Sequence, residues 1–291
     1  MSKSWYQKSI DTLSLNGKGE RTQQAYTRAL RMLVEFYADK DPSEITEAEL
    51  EAYFLHRKNV DRWAPKTLRI CYCGIRFYFV KVLGHNWTLF NILRAKNESR
   101  LPTVLSRDEV QRLLGCVHTA HHRAFLSTVY ACGLRLQEAL SLEVADIDSD
   151  RMMIHVHRGK GAKDRLVPLP HRTLERLRTH WKTHRNPRLL FPALGRDRRG
   201  GPAATTPMAI QSVQGAMRGA KARAGITKRG VSIHTLRHAY ATHLLEAGVN
   251  LRVIQRHMGH SSLETTMVYL HLTHTGQEQA YALIDALMGD L

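Results

Sequence analysis

The sequence predicts a mainly α-helical protein of two domains, the second carrying a small antiparallel β-sheet. Three observations carry this reading. Apolar residues recur at helical spacing through the N-terminal third. A polar segment ending at a proline is followed by a helix-start signal at residue 106. The second part holds one strand–turn–strand pattern.

In chain order, residues 20–40 read as a helix, because Tyr26, Leu30, Leu33, Val34 and Tyr37 fall on one apolar face. A second helix lies between Ser43 and Pro65. It begins at Thr46-Glu47-Ala48-Glu49, a capping box with Thr46 as N-cap and Glu49 at N3. Residues 66–84 read as a third helix carrying Leu68, Ile70, Tyr72, Ile75, Phe79 and Val82, with Gly84 as its stop. The domain over 1–95 is therefore a small helical bundle. Residues 96–105 read as a linker, polar and interrupted by Pro102. Ser106-Arg107-Asp108-Glu109 is a second capping box and opens the domain over 106–291. Within it, Met152–His157 suits a strand, Arg158–Asp164 a turn and Arg165–Leu169 the return strand. The Gly-, Pro- and Arg-rich stretch 195–207 reads as an exposed loop.

Composition narrows the class of function. The chain has 43 Lys plus Arg against 26 Asp plus Glu, a net charge of +17, with the excess in both halves. Such a charge points to a polyanionic partner, of which nucleic acid is the commonest. No apolar run is long enough to span a membrane, and the N-terminus lacks the apolar stretch of a signal peptide, so a soluble, cytoplasmic protein is expected. Cys71, Cys73, Cys116 and Cys132 fit neither a zinc nor a redox spacing and read as reduced core residues. His180 and His184 are four apart, and His118, His121 and His122 cluster, yet there is no H-E-x-x-H pattern and no third ligand at a recognisable spacing. No metal is expected.

Four stretches carry possible chemistry, and each taken alone has an ordinary structural explanation. Arg135 starts a helical pattern after Gly133, where an arginine fork can meet a phosphate; it equally suits a surface pair with Glu138. Lys160, flanked by Gly159 and Gly161, sits in a turn that brings an ammonium close to another molecule; it equally suits a solvated hairpin. His234 and Arg237 share a helix face, offering a proton-transfer group and a permanent cation. His260 follows Gly259 at a helix end, and Tyr269 closes the next helical stretch, where a packed tyrosine is the plain alternative. Taken together, the set suits phosphoryl transfer by a tyrosine. Two arginines clamp the charge that grows on the phosphodiester, a proton acceptor activates a phenol, and a proton donor serves the leaving hydroxyl.

The stretches Cys132-Gly133-Leu134-Arg135, Gly159-Lys160-Gly161-Ala162-Lys163-Asp164-Arg165, His234-Thr235-Leu236-Arg237-His238 and Gly259-His260-Ser261, with Tyr269 after them, resemble the boxes of the tyrosine recombinases and phage integrases, Xer-type enzymes included. The intervals from Arg237 to His260 and from His260 to Tyr269 also agree. The resemblance is close over about 106–291 and looser over the N-terminal part, which looks like the family's core-binding (SAM-like) domain. It implies a two-domain, C-shaped clamp around double-stranded DNA. It also implies reversible transesterification through a 3′-phosphotyrosyl bond and a free 5′-hydroxyl, four protomers on two duplexes, and no cofactor. By that resemblance Tyr269 is the nucleophile, Arg135 and Arg237 bind the phosphate, and Lys160 is the general acid. His234 accepts the tyrosine proton, and His260 hydrogen-bonds the phosphate. The segment Gln277–Leu287 would dock on a neighbouring protomer. Gln137 departs from the small residue many relatives carry, a change a helix tolerates. No arm-binding domain and no insertion between Lys160 and His234 are expected. Two other readings stay open. A type IB topoisomerase-like enzyme would relax arbitrary plasmid, and a non-catalytic protein of this fold would bind without cleaving. Chromosome-dimer resolution and mobile-element integration are both compatible with the motifs.

Overall fold

The computed structural model describes residues 4–92, 101–157, 164–195, 200–270, 284–286, 288 and 289. Its contacts divide the chain into two compact units, Met1–Arg100 and Leu101–Leu291.

Among its described residues the first unit is all helical: α1 (Trp5–Leu15), α2 (Glu20–Phe36), α3 (Glu47–Asn59), α4 (Pro65–Phe77) and the short α5 (Leu89–Ile92). Leu30 and Leu33 of α2 are fully buried with Leu50 and Tyr53 of α3 and Ile75 of α4. The apolar face read from the sequence is thus the face that packs. The expected helix over 20–40 ends at Phe36, because Ala38 and Asp39 turn into the left-handed region and cannot continue it. The capping box at Thr46 is complete. The Glu49 backbone N–H donates to Thr46 Oγ1, and the Thr46 N–H donates to the Glu49 carboxylate. The helix expected to reach Gly84 is α-helical only to Phe77, then widens into a π-helical turn over Tyr78–Val82 before Gly84 stops it at φ +76°.

Helices α2 and α4 cross closely at Gly74, where a Cβ would stand 2.9 Å from the Tyr26 Cα and 3.1 Å from the Ala29 Cβ. Backbone cannot yield as a flexible side chain does. Gly74→Ala is therefore expected to destabilise the protein by about 1–3 kcal/mol through overpacking. A melting temperature equal to wild type would show that the helices separate freely at this point.

The second unit begins with α6 (Arg107–Gly115), whose capping box joins Ser106 and Glu109 as the sequence predicts. Pro102 does not mark the edge of free chain. Thr103 hydrogen-bonds the Arg229 carbonyl, and Leu105 is fully buried in the core of this unit. Helix α7 (Ala120–Cys132) is the central element, burying Phe125, Leu126, Val129 and Cys132. Gly133 ends it at φ +60°. A Cβ there would collide with the Tyr240 ring, so glycine is required both for conformation and for space. The short α8 (Leu136–Leu140) follows.

A three-stranded antiparallel sheet comes next, in the order β1 (Ile147–Asp148), β2 (Met153–Val156), β3 (Arg165–Pro168). The sequence pattern found β2 and β3, which pair from Met153↔Pro168 to Val156↔Arg165. It missed β1, which has two residues and is too short to show alternation. Helices α9 (His171–His184), α10 (Ile210–Arg223), α11 (Ile233–Glu246), α12 (Leu251–Met258) and α13 (Glu264–Met267) follow. The four cysteines are free, with Cys71 and Cys132 buried. No helix among the described residues is long and apolar enough to cross a membrane.

Candidate active site

The site forms where three helix ends meet. Gly133 turns the chain out of α7 and leaves Arg135 as the N-cap of α8. Glu138 then stands at N3, where its carboxylate accepts from the Arg135 backbone N–H at 2.8 Å and from Arg135 Nη1 at 2.6 Å. The plain pairing of Arg135 with Glu138 is therefore real, but it is one edge of a larger cluster. Arg165, the first residue of β3, donates to both oxygens of Glu138 at 3.0 and 2.7 Å and through Nε to the His257 carbonyl. Arg237 of α11 brings Nη1 to 3.8 Å from the same carboxylate.

Glu138 is 8% exposed, so burial alone would favour its neutral form. Hydrogen bonds from Arg165 and from the Arg135 backbone outweigh this and hold its pKa at about 2. One carboxylate thus serves three arginines, leaving an excess of positive charge in a partly enclosed space.

Arg237 is 4% exposed. Its guanidinium donates to the Gly133 and Met258 carbonyls, each at 2.5 Å, and Arg135 Nη2 donates to the Gly259 carbonyl at 2.8 Å. Burial first, then the charge of Arg135, lowers the Arg237 pKa to about 9, which still leaves it protonated at neutral pH. Gly259 closes α12 at φ +60°, with the Arg165 side chain packed where a Cβ would sit.

Tyr269 follows α13 in a turn and is 1% exposed. Its hydroxyl lies 2.8 Å from His238 Nδ1, and the His260 ring stacks on it with centroids 6.4 Å apart and planes 13° apart. Burial raises the phenol to about 12, against the pull of Arg237 and Arg135. His238 is lowered to about 4 by burial and then by the neighbouring His234 and Arg237, so it is neutral near pH 7 and has a lone pair to offer. His260 is likewise lowered to about 3 by burial, Arg237 and Arg135, and Nδ1 meets Thr266 Oγ1 at 2.9 Å. His234 is exposed, and its pKa is lowered by desolvation and by the same two arginines.

The structure thus brings together five of the six expected residues: Arg135, His234, Arg237, His260 and Tyr269. Lys160 falls in 158–163, outside the described residues, as does most of Gln277–Leu287. Val156 and Arg165, which lie on either side of residues 158–163 in the chain, pair directly. Three participants had no role from the sequence. Glu138 was visible only as a local partner of Arg135. Arg165 was visible only as the start of the return strand. His238, rather than His234, makes the hydrogen bond to the tyrosine. The signal for it was the i, i+4 spacing of His234 and His238, which puts both on one side of α11.

A model of the phage integrase family matches residues 103–275, and a model of the phage integrase N-terminal SAM-like domain matches residues 5–89. An integrase/recombinase of Escherichia coli is 33% identical over 302 residues, covering 92% of this chain and 89% of its own length. The tyrosine recombinase XerA of Thermococcus kodakarensis is 32% identical, covering 96% of this chain and 95% of its own. Among solved structures, the XerH site-specific recombinase bound to palindromic difH substrate matches with a TM-score of 0.70. At 22% identity, over 98% of this chain and 86% of that one, it shows the shared fold. The chain belongs to the phage integrase family. Within that family it is a tyrosine-type site-specific recombinase.

Proposed function

We propose that this recombinase cleaves and rejoins duplex DNA with Tyr269 as nucleophile. The Tyr269 oxygen attacks the scissile phosphorus, and its proton passes to His238 Nδ1. The bond from phosphorus to the 5′-oxygen breaks, and that oxygen takes a proton from Lys160. The products are a 3′-phosphotyrosyl bond and a free 5′-hydroxyl. Attack by the 5′-hydroxyl of a partner strand reverses each transfer, so the phosphodiester is conserved without a nucleotide cofactor. Arg135 and Arg237 neutralise the charge that builds on the non-bridging oxygens, and His260 with the exposed His234 completes the donors around them. DNA is the partner that both the net charge of +17 and the family support. Exchange between two duplexes requires four active tyrosines, hence a homotetramer on two sites.

The observation that carries this reading is the hydrogen bond between the tyrosine hydroxyl and a neutral histidine beside two arginines held by helix-end carbonyls. A DNA site nicked so that the 5′-hydroxyl fragment diffuses away tests it. Wild type is expected to accumulate a covalent adduct, slow on a denaturing gel and released by protease. His238→Ala should form the adduct about 100-fold or more slowly, as loss of a general base does. His234→Ala should slow it less and weaken phosphate binding instead. Equal, small effects of the two alanines on adduct formation would move the proton acceptor away from His238.

A further inference from the structure

Away from the arginine cluster, the pairing of β2 with β3 gathers three metal-type donors on one face of the sheet. His155 and His157 are two residues apart, so their side chains leave the same side of the strand. The register pairs His155 with Leu166 and Val156 with Arg165, which sets Asp164 opposite His157. His155 Nε2 lies 3.4 Å and His157 Nδ1 3.3 Å from Asp164 Oδ2. One donor atom from each of the three residues lies within 4.8 Å of the others. Tetrahedral ligands about 2.1 Å from a zinc ion stand about 3.4 Å apart, close to the two separations seen here.

A second observation points the same way. Asp146, 6% exposed, holds the other nitrogen of His157, with Oδ1 2.8 Å from Nε2. Its Oδ2 accepts the Glu143 backbone N–H at 2.8 Å, so the carboxylate is fixed. A buried acid that binds one imidazole nitrogen turns the other outward and raises its basicity, as behind metal-bound histidines. Here the outward nitrogen faces Asp164.

We propose that His155, His157 and Asp164 bind one divalent transition-metal ion of the zinc class, with Asp146 orienting His157 from behind and solvent filling the fourth position. Two imidazoles and one carboxylate favour zinc, cobalt or nickel over magnesium or calcium. All three side chains are at least 40% exposed, so the ion enters from solvent. The bound ion ties the end of β2 to the start of β3. Its role is positional: it holds the two strand ends together. The proposal stands on the sheet geometry and does not depend on the cleavage mechanism.

The test is metal binding by the full-length protein after treatment with a chelator. Titration with Co²⁺ is expected to give one site per chain with the visible absorption of a tetrahedral ion, displaced by Zn²⁺. His155→Gln and His157→Gln should each abolish that band or weaken binding about 10–100-fold. Asp146→Asn, which removes no ligand, should weaken it by a similar factor. The metal-free variants should melt as metal-free wild type does, because His155 and His157 lie at the surface. No tetrahedral Co²⁺ band in wild type would overturn the site. So would a band of unchanged strength and affinity in both histidine variants, since the ion would then be bound elsewhere.

Discussion

Tyr269→Phe is expected to bind its DNA site as wild type does and to form no covalent adduct. The substitution deletes one oxygen from a ring that is otherwise buried, and the stacking against His260 is retained. His238 Nδ1 loses its partner, at a cost of about 1 kcal/mol in stability, too little to unfold the domain. Cleavage should fall roughly 10⁴-fold or more, because the proposed attacking atom is removed. The measurement is the denaturing-gel adduct assay on a nicked site, with binding followed separately by mobility shift. An adduct formed by the phenylalanine variant would transfer the role to another tyrosine. Tyr240, buried against Gly133, and Tyr281, outside the described residues, are the nearest in sequence. Strand cutting by wild type without any adduct would replace transesterification with hydrolysis.

Glu138→Gln should have the largest effect on stability. The amide fits the same space but carries no charge, so Arg135, Arg165 and Arg237 lose the carboxylate they share. Removing one partner from a buried ionic cluster costs about 3–5 kcal/mol. The pH dependence gives an independent check. The Glu138 pKa is about 2 in the fold against an ordinary 4.5. A depressed carboxylate contributes stability that is fully present above the unfolded value and is lost as pH falls toward the folded one. The contribution, about 3 kcal/mol, should therefore be intact at pH 6 and fade between about pH 4.5 and pH 2. The melting-temperature gap between wild type and Glu138→Gln should narrow across that window. A gap that is absent at neutral pH, or that stays constant down to pH 3, would show that the carboxylate does not hold the cluster together.

Much of this arrangement was legible in the amino-acid sequence, for reasons that differ by element. The capping boxes at Thr46 and Ser106 are local, since both partners lie within one turn, and both formed as read. The buried faces of α2 and α4 follow from periodicity. Helix α2 nevertheless stopped short because its end depends on left-handed conformations at Ala38 and Asp39, which neither residue type advertises. The motifs single out Arg135, His234, Arg237, His260 and Tyr269 as candidates, whereas their wiring is not visible in them. Arg165 and Glu138 lie 27 positions apart in the chain and meet only through the tertiary fold. The choice between His234 and His238 as partner of Tyr269 turns on which side of α11 faces the segment after α13. That is a packing outcome, and helical spacing alone places both histidines on the same side. Strand β1, two residues long, exists only because β2 offers it an edge.

The carbonyls that hold Arg135 and Arg237 come from residues 133, 258 and 259, at the C-terminal ends of α7 and α12. These ends carry the negative pole of each helix. Beside the one carboxylate of Glu138, the cations are therefore oriented by backbone dipoles, and these are fixed in place because each is the last link of a hydrogen-bonded column. Water around a phosphate in solution must reorient as charge builds on it; these groups were aligned when the chain folded. The same coupling has a thermal consequence. The last turns of α7 and α12 bury Val129, Cys132 and Met258, so the arginines are released only with the core, and heat inactivation should coincide with melting of the domain.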